Sequence, residues 1–120
     1  MGHYKELIAY KKAYELAMKI FQITKQFPAE EKYSLIDQIR RSSRSVCSNL
    51  AEAYRRRRFK DYFISKLNDA ETENTETQVW LDFSKDCNYL PIELHTPLSF
   101  LNEEIGKLIA FMINNPEKFR

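Results

Sequence analysis

The chain has 120 residues, 43% of them hydrophobic and 30% charged, and a formal net charge of +2. That length holds one packed core and excludes a multidomain chain, while the composition excludes a disordered or collagen-like one. Only two glycines and four prolines favour long helices over a turn-rich sheet, and no apolar run reaches the roughly 18 residues of a membrane span.

Four amphipathic segments follow one another with apolar spacings alternating between three and four, the pattern of helices packed along a seam. The first covers 4–27. Leu7, Tyr10, Tyr14, Ala17, Phe21 and Thr24 form one of its seams; Ala9, Ala13, Leu16, Ile20, Ile23 and Phe27 form a second, so this helix faces two sets of neighbours. Phe27-Pro28 ends it, because proline disfavours helical geometry in the preceding residue.

The second segment, 34–55, has its seam at Ile36, Ile39, Ser43, Val46, Leu50 and Ala53. The third, 59–87, repeats four-three spacing through Phe63, Leu67, Ala70, Asn74, Thr77, Leu81 and Ser84, with Asn88 as a C-terminal stop. Polar seam residues such as Asn74 and Thr77 fix register at some cost in stability. The fourth, 92–114, reads along Leu94, Leu98, Leu101, Ile105, Leu108 and Met112, with Thr96-Pro97 as its N-cap and first helical residue. Short connections between long helices predict an all-α, antiparallel up-down four-helix bundle in a single domain.

Tyr62, Val79, Trp80, Phe83, Phe100 and Phe111 lie off the seams. Aromatic residues outside a core mark contacts, and these six are read as an oligomer interface.

Charge is unevenly placed. From Arg40 to Lys66, nine basic residues against Glu52 and Asp61 leave +7, whereas ten basic against fifteen acidic residues leave −5 elsewhere. At about 100° per residue, Arg40, Arg41 and Arg44 share one face of the second helix, and Arg55 and Arg58 would extend it. Arg57 would fall in the apolar arc, where a lone charge is costly to bury, so the packed helix is expected to end before it. Glu52 with Arg56 and Asp37 with Arg41 have the spacing of helix ion pairs. An arginine and serine surface suits phosphate oxygens. Arg40, Arg41, Arg44, Arg55, Arg56, Arg57, Arg58 and Lys60 are therefore the candidate nucleic-acid contacts. A solvated, dipole-matched helix end and a basic targeting signal are the competing readings of the arginine run. Aromatics placed to stack on bases are few near the patch, so recognition is expected through phosphate and shape.

No enzymatic constellation stands out. His3 and His95 lack the Glu-x-x-His spacing of di-iron bundles, and no Walker A, GxSxG or glycine-rich phosphate loop occurs. Glu71, Glu73 and Glu76 form an acidic face that could complement a basic neighbour. Cys47 and Cys87 stand alone, which fits a reduced, cytoplasmic chain; Cys47 reads as a packing residue. Neither cofactor nor metal is expected.

The stretches LIAYKKAYELAMKIFQITKQFP, QIRRSSRSVCSNLAEAY, ETQVWLDFSKDCNYL and MINNPEKF together resemble the bacterial four-helix bundle family encoded by intervening sequences in large-subunit ribosomal RNA genes. The resemblance implies an up-down bundle assembling into a ring, commonly a homopentamer. It also extends to the accessory protein of diversity-generating retroelements, a basic pentameric bundle that partners a reverse transcriptase and binds nucleic acid. By position, Gln38, Arg40, Arg41, Ser48, Asn49 and Glu52 match one family signature and Glu76, Thr77 and Gln78 another. Cys47 replaces the usual proline and Ala53 the usual glycine. The function expected from residues and resemblance is a non-enzymatic homo-oligomer that binds RNA or DNA. The alternative is a protein-interaction scaffold whose basic face pairs with acidic protein surface.

Overall fold

The computed structural model describes residues 2–120. Four helices, α1 (Ile8–Thr24), α2 (Leu35–Arg55), α3 (Lys60–Asp86) and α4 (Ile92–Asn114), make an antiparallel up-down bundle, with single 3-10 turns at Tyr4–Glu6, Ala29–Glu31 and Pro116–Lys118. The described residues include no strand. α3, at about 1.5 Å per residue, reaches roughly 40 Å and spans nearly the whole 44 Å long axis of the molecule. α2 packs on α3 and α1, and α4 closes the bundle against the same two helices.

α1 is shorter than the 4–27 the sequence predicts. Leu7 adopts an extended conformation and turns its side chain into the core, which separates the 3-10 turn from the helix. At the other end Thr24 donates its hydroxyl to the Ile20 carbonyl at 2.7 Å, and the chain loosens into turns before Pro28. The Ala9, Ala13, Leu16 and Ile20 seam is buried, whereas Tyr14 in the parallel row is 53% exposed. α1 thus faces its own chain along one row and leaves part of the other open.

In α2 all six seam residues are buried, and in α3 the seven seam residues are the seven buried ones. α3 ends as its asparagine predicts: Asn88 takes φ 64°. The Tyr89 N–H then donates to the Ser84 carbonyl and the Asn88 N–H to that of Lys85, the paired bonds of a Schellman stop. Tyr89 also donates its hydroxyl to Glu31 at 2.9 Å, tying the α3–α4 connection to the α1–α2 one. That bond to Glu31 pushes the Tyr89 phenol up to about 12.

α4 shares Leu98, Ile105 and Met112 with its expected seam and differs in the rest of its buried row. Its buried row is His95, Leu98, Asn102, Ile105, Ile109 and Met112, and Leu94 is exposed. The helix begins after Pro91, not at Thr96-Pro97; Pro97 lies inside it. A proline so near the start removes one N–H and frees the Glu93 carbonyl, which is on the exposed side.

Asn102 is buried because Asn74 meets it. Asn74 Nδ2 donates to Asn102 Oδ1 at 2.7 Å and to the Asn102 carbonyl at 3.0 Å. Asn102 Nδ2 returns bonds to the Asn74 carbonyl and to Gln78 Oε1, both at 3.1 Å. On the opposite side of α3, Thr77 donates to the Glu73 carbonyl, so the Ser42 hydroxyl, 2.9 Å away, is the donor between them. No buried side-chain polar atom among the described residues lacks a partner.

Gly106 belongs to this arrangement, since a Cβ there would stand 2.7 Å from Asn74 Oδ1. Glycine in a helix costs about 1 kcal/mol relative to alanine, but forcing a methyl against a fixed amide costs about 1–3 kcal/mol. Gly106→Ala is therefore expected to lower stability in urea unfolding. In an Asn74→Ala background the same change becomes neutral or stabilising, and equal effects in both backgrounds would contradict the contact.

Candidate nucleic-acid interface

α2 ends at Arg55, and Arg56, Arg57 and Arg58 form the turn into α3. Arg57 marks the end of the packed helix as its angular position requires. Its guanidinium lies 4.0 Å from the Tyr54 ring centroid and donates to the Tyr54 carbonyl at 2.9 Å. Arg120 secures the turn from the other end of the chain. Its Nε and Nη2 donate to the carbonyls of Arg57 and Arg58 at 2.7 and 2.9 Å, while Nη1 pairs with Glu117. The sequence gives no sign of this clamp, because 62 residues separate its nearer partners.

The eight candidate contacts divide by what already holds them. Arg40 donates to Thr24 Oγ1 at 2.8 Å and to the Phe21 carbonyl, and its guanidinium covers the Phe21 ring. Arg41 reaches across to α3, with Glu73 at 3.1 Å and Glu76 at 2.6 Å. Lys60 lies 3.9 Å from Glu117. Arg44, Arg55, Arg56 and Arg58 form no ion pair among the described residues. Arg44 overlies Phe21, Arg56 lies over Tyr62 and Phe59, and Arg58 over Phe59, leaving guanidinium edges toward solvent. Neither expected helix ion pair forms: Glu52 meets Lys66 at 3.1 Å, and Arg41 finds two carboxylates on α3 instead of Asp37.

Three hollows run along this surface. One of ≈ 670 Å³ is lined by Arg40, Arg41, Arg44, Ser45 and Ser48 with the Lys32–Asp37 region. One of ≈ 430 Å³ lies between α1 and α2 and shares Arg44 and Ser48 with the first. The third, ≈ 950 Å³, holds Arg55 to Arg58 with His3, Tyr4 and Tyr62, and shares Tyr4 and Ala51 with the second. Sharing walls in this way, the three follow one another as a track along the surface of α2. The expectation that aromatics near the patch are few is corrected here: Tyr4, Tyr10, Tyr14 and Phe21 line the middle hollow. Tyr10, Tyr14 and Phe21 follow the three-four periodicity of the first helix, which reads in the sequence as a packing seam.

The off-seam apolar residues do not gather in one place. Val79, Phe83 and Phe100 are exposed, and Trp80 is half-buried beside Phe83, all at the level of the Gln78–Ser99 hydrogen bond. Tyr62 lies about 30 Å away along α3, under Arg56, and Phe111 packs edge-on against Phe119.

A family model described as 23S rRNA-intervening sequence protein matches residues 5–111. The chain belongs to that family. Among solved structures, the chain is similar to a protein of unknown function from the S23 ribosomal protein family of Bacteroides thetaiotaomicron. The two are 30% identical with a TM-score of 0.82, over 89% of this chain and 96% of that one. No curated protein sequence matches. No helix among the described residues is long and apolar enough to cross a membrane.

The Cys47 thiol and the His95 cluster are both engaged within the fold. Cys47 is buried, and burial pushes its thiol up to about 11, far from a reactive thiolate. Asp82 Oδ1 and Ser99 Oγ both approach the same ring nitrogen of His95, Nε2, at 2.9 and 3.3 Å. A nucleophile-base-acid relay needs its partners on opposite ring nitrogens, so this cluster is a hydrogen-bonded joint between α3 and α4.

Arg41 is tested by pH. Burial works against the Glu76 carboxylate, but bonds from Trp80 and Arg41 outweigh it and hold the group below its ordinary range. A depressed carboxylate gives stability that is present above its unfolded value and lost as pH falls through the folded one. Arg41→Ala is therefore expected to cost on the order of 1 kcal/mol at pH 7, a small figure because the pair is partly exposed. The deficit should fade below about pH 4, where glutamates protonate. Thermal melts of both proteins across pH check this; a deficit independent of pH would rule out the ion pair as its source.

Proposed function

We propose that this protein is a non-enzymatic, cytoplasmic homo-oligomer that binds RNA or another nucleic acid along the outer face of α2 and the turn after it. The single observation that carries the reading is the row of hollows whose Arg44, Arg55, Arg56 and Arg58 form no ion pair among the described residues. Arg44, Arg56 and Arg58, already held over aromatic rings, lose little freedom on meeting phosphate, and each phosphate contact displaces counterions. Arg40, Arg41 and Arg57 support this surface by shaping it, and Lys60 adds charge at its end.

Val79, Trp80, Phe83 and Phe100 form the favoured contact between copies, and a ring of five would repeat the track around its circumference. A ligand spanning neighbouring tracks would gain by avidity. The scaffold reading draws support from the pairing of Arg41 with Glu73 and Glu76, an instance of basic surface satisfied by acidic protein; a protein partner such as a reverse transcriptase belongs to that reading.

Binding of a labelled RNA, followed by anisotropy over a salt series, tests the proposal. The affinity is expected to fall steeply with salt. Replacing Arg55, Arg56 and Arg58 together by alanine is expected to weaken binding and reduce the salt slope by about one per arginine lost. Unchanged binding in that variant, with loss of oligomers in light scattering, would favour the scaffold.

A further inference from the structure

The middle of the track differs from its two ends. Between α1 and α2 the floor is made of Ala17, Cys47 and Ala51, small side chains that open a groove of ≈ 430 Å³. Along its α1 wall stand Tyr10, Tyr14 and Phe21. Tyr10 and Tyr14 lie 6.1 Å apart between ring centroids with planes tilted 34°, and Tyr4 meets Tyr10 edge-on at 5.0 Å. Along the α2 wall stand Arg44 and Ser48. Residues four apart on a helix are separated by about 6 Å along its axis. The groove thus has an aromatic rail on one side and a phosphate-binding rail on the other, running side by side.

A folded core has no use for this exposure. Tyr14 is 53% and Met18 43% exposed, although the same helix buries its other row. A double helix keeps its base faces stacked inside and could use only the arginines and serine. An unpaired strand can lay bases on tyrosine rings while its phosphates follow the opposite wall, the arrangement that stacking platforms exploit.

We infer that the groove between α1 and α2 is a stacking site for unpaired nucleotides, so that the ligand of the track is single-stranded nucleic acid. This rests on the nucleic-acid reading above and narrows it. The arginine turn at Arg55 to Arg58 continues the phosphate path beyond the groove, and the charge of the whole surface matches a polyanion, not an apolar helix.

The test compares a labelled twelve-nucleotide oligouridylate with a labelled twelve-base-pair RNA duplex at one salt concentration, using the full chain. Tyr14→Ala is expected to weaken single-strand binding at least about five-fold and to leave duplex binding within about two-fold. Tyr14→Phe, which keeps the ring, is expected to bind as the unaltered chain does. Met18→Asp, which puts a carboxylate on the exposed wall, provides a second probe should Tyr14→Ala fail to fold, with the same expected loss. Equal, small effects on both ligands would overturn the stacking site and leave phosphate binding standing. Failure of the unaltered chain to bind either RNA would remove the nucleic-acid reading itself. A fall in molar mass by light scattering, with binding unchanged, would assign the groove to a second copy of the chain and overturn the inference.

Discussion

The reciprocal amide pair of Asn74 and Asn102 sets the geometry from which the rest of this bundle follows. Each side chain satisfies the other and the other's backbone, so a shift of α4 by one residue would strand up to four hydrogen-bonding groups inside the bundle. Leaving such a group unmade costs about 1–3 kcal/mol, more than the alternative apolar registers of α4 could return. Gly106 lets α4 approach closely enough for the pair to form. Across α3, the Ser42–Thr77 bond fixes α2 in turn. Two polar contacts therefore align three helices and decide which side of α2 faces outward.

That outward side carries the arginines, and the fold uses some of them. Arg40 closes the α1–α2 contact over Phe21 and Thr24, Arg41 joins α2 to α3, and Arg57 and Arg120 build the turn. A run of basic residues is thus no uniform surface. Its members range from structural cross-links to guanidinium groups with at most a ring beneath them, and only the latter offer charge at little cost to the fold. The same division explains how a +7 segment is tolerated: part of the charge is neutralised by Glu73, Glu76 and, through Lys66, Glu52.

Helix α3 was legible in the sequence because its neighbours cover one face only, so every third or fourth residue is apolar or small and the period is unambiguous. α4 was half legible: Leu98, Ile105 and Met112 of the expected seam are buried and Leu101 and Leu108 pack half-buried beside them, but two residues that complete the buried row, His95 and Asn102, are polar. Their burial depends on partners at Asp82 and Asn74, which no local pattern reveals. The shortening of α1 has a related cause: Leu7 belongs to the apolar row but enters the core from an extended segment. The site was half legible. The arginine face follows from counting at 100° per residue, whereas the clamp by Arg120 and the open tyrosine row depend on which elements the bundle brings together and which it leaves uncovered.

A division of the arginines into those held by the fold and those offered to a ligand governs this surface. Arginine Nε–H resonances of the ¹⁵N-labelled protein, recorded during titration with a short RNA, measure it most directly. Signals of Arg44, Arg55, Arg56 and Arg58 are expected to move, while that of Arg40, already bonded to Thr24, and that of Arg120, bonded to the Arg57 carbonyl, stay in place. Movement of Arg40 and Arg120 with the other four unaffected would contradict the account.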